Sequence, residues 1–104
     1  MLAEARTRIV RYTPEEARAD AELLLVDIRS ADERERDVIP GSKQVPYSVL
    51  QWRADPTSEW RDEELVGRRI CLVCRQGYSS SLAAASLVEL GVDAGDLIGG
   101  YEAW

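Results

Sequence analysis

Histidine is absent from this chain, and so is phenylalanine. Without an imidazole, Cys-His and Ser-His nucleophile pairs are excluded, as is any histidine metal ligand. Cysteine occurs only twice, too few for a closed zinc site of the usual Cys/His kind, so no metal and no other cofactor is expected. Long apolar runs are also missing. No stretch approaches the ~18–20 residues that span a bilayer, and residues 1–11 lack the apolar core of a signal peptide. Basic residues are in deficit: 13 against 19 acidic ones leave a net charge of −6. That balance argues against non-specific contact with nucleic acid or an anionic membrane. The expected compartment is the cytoplasm, where a structural disulfide would be unusual.

What is present is an ordinary globular composition, 45% apolar and 31% charged over 104 residues, enough for one domain spanning residues 1–104. A short strand is expected at Ile9-Val10. Thr13-Pro14-Glu15-Glu16 reads as a capping box that opens a helix ending near Ala21. Leu23-Leu24-Leu25-Val26, ending at Asp27, has the continuous apolar character of a strand buried on both faces. Ser30 caps a charged helix over residues 31–36, and Glu33 is placed to pair with Arg29 at (i, i+4). Ile39-Pro40-Gly41-Ser42 is a turn before a short strand at Gln44-Val45. Residues 48–53 read as a short helix with Val49, Leu50 and Trp52 as candidate core, and 59–69 as loop with one helical turn. Ile70 to Val73 is the second buried strand. Ser80 to Leu90 is the best helix, closed by Gly91. Asp96-Leu97-Ile98 is a last strand, ended by Gly99-Gly100. Short buried strands alternating with helices predict an α/β domain on a mainly parallel sheet. In such sheets ligands bind beyond the carboxyl ends of the strands, where Asp27 and Cys74 both fall.

The chemistry concentrates in Cys74-Arg75-Gln76-Gly77-Tyr78-Ser79-Ser80. It is a thiol on a short loop between a buried strand and a helix start, where orphan amides favour a thiolate or a bound anion. Cys71 and Cys74 spell C-x-x-C, but residues three apart on a strand face opposite ways and lie ~10 Å apart, beyond disulfide reach. Cys71 therefore reads as core and Cys74 as a functional thiol rather than an inert one. The phosphatase loop Cys-x5-Arg is not met, because the sixth residue after Cys74 is Ser80. Arg75 flanks the anion pocket or is simply solvated. Asp27 and Arg29 line the pocket or form a structural ion pair near it, the structural role being favoured. Tyr12, Tyr47, Trp52, Trp60, Tyr101 and Trp104 form no stripe and read as core or rim.

Four segments in order, Val26-Asp27-Ile28-Arg29 with Glu33, Ile39-Pro40-Gly41, Cys74 to Ser80, and Gly99-Gly100-Tyr101-Glu102-Ala103-Trp104, resemble the single-domain rhodanese family over about residues 10–104. The finer pattern of residues 49–56 and 77–85 looks like a stand-alone actinobacterial branch, which implies a link to sulfur amino-acid metabolism. The resemblance implies a rhodanese-like, five-stranded parallel sheet flanked by helices on both faces. It also implies sulfurtransferase chemistry, with Cys74 carrying sulfur as a persulfide and Arg75, Gln76, Gly77, Tyr78, Ser79 and Ser80 binding substrate. The implied partners are a small anionic sulfur donor, thiosulfate or a low-molecular-weight persulfide, and a thiol, cyanide or protein acceptor. A persulfide carrier and a catalytically silent interaction or sensor module are the alternatives within this fold. The chain departs from the family at Asp37-Val38, where Gly-His is common, and at Ser79, where many members have arginine. It stops at Trp104, so the family's closing helix is expected to be short or absent.

Overall fold

The computed structural model describes residues 2–104. Five strands form one sheet: β1 (Val10–Tyr12), β2 (Leu24–Asp27), β3 (Lys43–Gln44), β4 (Ile70–Val73) and β5 (Ala94–Leu97). Their order is β1-β5-β4-β2-β3, and every pairing is parallel. The two apolar runs of the sequence, β2 and β4, are adjacent, with Leu24 opposite Ile70 and Asp27 opposite Val73. Every residue of β4 is buried, as a central strand covered on both faces requires.

Alternation along β4 divides the core. Ile70, Leu72 and Cys74 join one cluster, with Val26, Leu50, Ala83, Ala84 and Leu87. Cys71 and Val73 join the other, with Tyr12, Ala17, Ile39 and Leu97. The two cysteines thus lie on opposite sides of the sheet, both as free thiols. On the first side stand α4 (Leu50–Ala54), preceded by a 3-10 turn over Tyr47–Val49, and α5 (Ser79–Glu89). On the second stand α2 (Pro14–Ala19) and α6 (Gly100–Ala103), and α3 (Ala31–Arg36) leads to the buried Ile39. Three consecutive alanines on α5 leave its backbone close to the sheet; Ala83 and Ala84 are almost fully buried.

The capping box expected at Thr13 forms, and the cap at Ser30 is a second one. The Thr13 hydroxyl accepts from Glu16 N–H and the Ser30 hydroxyl from Glu33 N–H, and each glutamate bonds back to its cap. Two helices depart from the sequence expectations. Residues 2–7 form α1, which packs on α5, and Gly99-Gly100 does not end the regular structure but starts α6. Trp52 is no core residue. On α4 the buried positions are Leu50 and Ala54, one turn apart, and Trp52 lies on the opposite face, 62% exposed. Residues 59–69 form a loop with turns at 59–60 and 63–67 and no assigned helix. Among the described residues, no helix is long and apolar enough to cross a membrane.

Candidate active site

Cys74 follows directly on β4, is 8% exposed and lines a cavity of about 230 Å³. Ile28, Arg29, Ser30, Glu33, Tyr47, Arg75, Gln76, Tyr78 and Ser79 complete the walls. The sulfur accepts hydrogen bonds from Gly77 N–H at 3.1 Å and Ser80 N–H at 3.4 Å. The second of these is an orphan amide of the first turn of α5. No side chain caps that helix, so the sulfur takes the place of a cap. A partial positive charge therefore meets the atom that would become anionic.

The loop can turn its amides inward because its carbonyls are held outside. Tyr101 N–H and Glu102 N–H, at the start of α6, donate to the carbonyls of Cys74 (2.8 Å) and Arg75 (3.1 Å). The Gly77 carbonyl accepts from Arg6 Nη2 at 3.0 Å. Gly77 itself has φ +91°, and a Cβ there would lie 3.0 Å from the Gly99 nitrogen, so only glycine suits the bend.

Arg75 and Gln76 line the cavity, but their heads turn to one carboxylate. Arg75 Nε donates to Glu102 at 3.0 Å and Gln76 Nε2 at 3.3 Å. Tyr78 stands exposed at the rim. Asp27 and Arg29 form a buried ion pair in which Arg29 Nε and Nη2 face the two carboxylate oxygens at 2.9–3.1 Å. Arg29 also donates to the Asp37 carbonyl and lies over the Tyr101 ring at 3.9 Å. The hydrogen bonds to Asp27 raise the pKa of the Arg29 guanidinium, ahead of the opposing effect of burial. The expected Arg29–Glu33 pair does not form. Glu33 is used by the Ser30 cap, and Arg29 is taken up by the nearer Asp27.

Sequence reasoning missed the residues under the loop: Arg6, Arg11, Ser81 and above all Asp96. Arg6 and Arg11 come from α1 and β1, and no local pattern points them at residue 77. Asp96 did carry a signal, being a charged residue inside an otherwise apolar strand. Cys71, on the far face, is made a poorer acid by burial first and by the charge of Asp96 second, so it is an inert core thiol.

The family model for the rhodanese-like domain matches residues 13–104. The chain belongs to the rhodanese-like domain family. A Yarrowia lipolytica protein named adenylyltransferase and sulfurtransferase UBA4 is 31% identical over 96 residues, which is 90% of this chain and 23% of that protein. The Aedes aegypti adenylyltransferase and sulfurtransferase MOCS3 is 36% identical over 78% of this chain and 20% of its own length. The rhodanese-like chain thus spans less than a quarter of these relatives. Among solved structures, a Rhodopseudomonas palustris protein of unknown function, named as a possible tyrosine phosphatase, superposes with TM-score 0.90 at 30% identity, over 99% of this chain and 84% of that one. The human single-domain sulfurtransferase TSTD1 shares the fold, with TM-score 0.70 at 20% identity over 90% and 93% of the two chains. A rhodanese-like domain of this kind is related to the domains of sulfurtransferases.

Proposed function

We propose that this domain is a sulfurtransferase that moves a sulfane sulfur through a persulfide on Cys74. The observation that carries the reading is the paired donation of Gly77 N–H and Ser80 N–H to Cys74 Sγ, in a loop whose carbonyls are tied away from the pocket. The Cys74 thiolate attacks the outer sulfur of the donor. A new S–S bond forms, the donor's own S–S bond breaks, and its electron pair leaves on sulfite or on an organic thiolate. An acceptor thiolate or cyanide then attacks the outer sulfur of the Cys74 persulfide and restores the thiolate. Sulfite leaves without protonation, so the sequence needs no histidine at this step. The amides offset the negative charge that sulfur carries before and after transfer.

Phosphoryl transfer lacks support here, since Ser80 stands where the phosphatase loop needs a bidentate arginine. The donor is a small sulfane-sulfur anion, thiosulfate or a low-molecular-weight persulfide, and the setting is the cytoplasm. A second reading, a carrier that passes sulfur to a partner protein, draws on relatives in which the matching segment is a minor part of a longer adenylyltransferase and sulfurtransferase.

Incubation with thiosulfate or glutathione persulfide followed by intact-mass measurement tests the proposal. One added sulfur atom is expected on the native chain and none on Cys74→Ser; no gain with either donor would sink it. Steady-state turnover with cyanide then separates enzyme from carrier.

A further inference from the structure

Beneath the loop lies a buried carboxylate that the transfer chemistry leaves without a role. Asp96 is fully buried on β5, beside β4. Arg11, from β1, donates Nε to Oδ1 at 2.8 Å and Nη2 to Oδ2 at 3.3 Å. The Ser80 and Ser81 hydroxyls donate to Oδ2 at 2.8 and 2.7 Å. A buried ion pair of this kind is weak evidence of stabilisation, because desolvation cancels much of the attraction. Its presence calls for another explanation.

Ser80 supplies one, because its hydroxyl has a single proton. With Cys74 as a thiol, the donors run one way: Cys74 S–H to Ser80 Oγ at 3.3 Å, then Ser80 O–H to Asp96. Once Cys74 loses its proton, a lone pair of Ser80 Oγ faces an anion, which is repulsive. Rotation about the Ser80 Cβ–Oγ bond removes the conflict by bringing the hydroxyl hydrogen to sulfur. Asp96 keeps Arg11 and the Ser81 hydroxyl when this happens, so no buried oxygen is stranded.

We infer that Asp96 is a positioning residue for Cys74, holding the Ser80 hydroxyl as a two-position switch that points to the carboxylate while Cys74 is a thiol and to sulfur while it is a thiolate or persulfide anion. The Ser80 proton stays on its own oxygen in the switch, and none passes to Asp96. The Cys74 proton leaves to solvent and only the Ser80 O–H bond turns. Around Asp96 the charged and titratable neighbours are Arg11 from β1, Arg6 from α1 through Ser81, and Cys71 from β4. Facing Cys74 from the cavity are Arg29, Glu33 and Arg75, with Asp27 on Arg29, Glu102 on Arg75 and Tyr78 at the rim. Burial keeps Cys71 a thiol. The inference rests on the proposed reading only in taking Cys74 to react as an anion.

Alkylation of Cys74 by iodoacetamide across pH, followed by peptide mass spectrometry, tests it. In Asp96→Asn the side-chain amide donates to Ser80 Oγ, so the hydroxyl hydrogen is free for sulfur and a negative charge is gone. The midpoint of the rate profile is expected to move to lower pH by about one unit, which is about tenfold faster alkylation on the acid limb. Ser80→Ala loses a charge-assisted donor and keeps no equivalent, so its midpoint moves to higher pH, and Ser80→Thr restores it. A merely structural role predicts no such opposed movement. Shifts of the same sign, or unmoved midpoints in variants that retain the native circular dichroism, overturn the switch. Should Asp96→Asn fail to fold, the Ser80 pair decides: an unmoved Ala midpoint, or no recovery in Thr, overturns the inference. Sulfur loading is read separately, so a chain with opposed shifts that never gains sulfur rejects the transferase reading and leaves the switch intact.

Discussion

Gly100 shows how closely the C-terminal turn is fitted to the Cys74 loop. Its φ is +64°, and a Cβ there would lie 2.4 Å from the Cys74 carbonyl oxygen and 2.7 Å from that of Arg75. Those carbonyls are the ones that Tyr101 and Glu102 hold from α6. Gly100→Ala is therefore expected to lower stability by roughly 3 kcal/mol, combining left-handed strain with overpacking. It should also release the two carbonyls and cost more than tenfold in Cys74 loading with thiosulfate. Urea unfolding and loading kinetics check both parts. A stable variant that loads at the native rate would show that α6 does not position the loop. In the sequence, Gly99-Gly100 reads only as an end to a strand, because a glycine pair signals a turn without saying what the turn touches.

At the scale of elements, α2 and α3 are short and depend on their caps more than longer helices do. Each is a six-residue segment opened by a capping box. α3 buries no residue of its own, whereas α2 buries Ala17. Thr13→Ala should cost about 1 kcal/mol in chemical denaturation and leave Cys74 alkylation unchanged, since α2 does not border the cavity. A loss well below that would mean that packing alone fixes α2. The α1 helix makes the opposite case. Its short polar sequence carries no cap signal, and it persists through Ala5 and the bonds that Arg6 makes to Ser81 and to the Gly77 carbonyl.

For the whole molecule, the missing histidine becomes a prediction about pH. No side chain of ordinary acidity titrates between about pH 6 and 8 apart from thiols, so stability should be flat there. Below that range the carboxylates act. Asp62 lies below the ordinary range through its hydrogen bond from Lys43, Asp20 through Arg69, and Glu16 and Asp55 through local backbone N–H donors. A carboxyl more acidic in the folded than the unfolded chain adds stability above its unfolded value. That stability is lost as pH falls through the folded one. Urea midpoints should therefore be level from about pH 6 to 8 and fall steadily below about pH 4. A maximum near pH 5 with a decline toward pH 8 would contradict this. Asp62 with Lys43 of β3, and Arg69 with Asp20 at the end of α2, tie residues 59–69 to distant elements, so acid should loosen this segment first.

The sequence by itself determined the parallel α/β architecture, the two central strands and both capped helices. These rest on local chemistry: apolar continuity, periodicity and cap residues. The position of Cys74 at a strand-to-helix loop was legible for the same reason. Tertiary structure alone decided what surrounds the sulfur. The β1-β5-β4 order brings Arg11 and Asp96 beneath a loop that follows β4. Packing of α1 on α5 delivers Arg6, and the αL turn at Gly99-Gly100 sends α6 back over the loop carbonyls. Trp52 faces solvent because a six-residue segment such as 48–53 fixes no helix face until the core on which it packs is known. Long-range placement of charge has no period in a sequence. Here that placement sets which way the Ser80 proton points, and with it the proposed chemistry of Cys74.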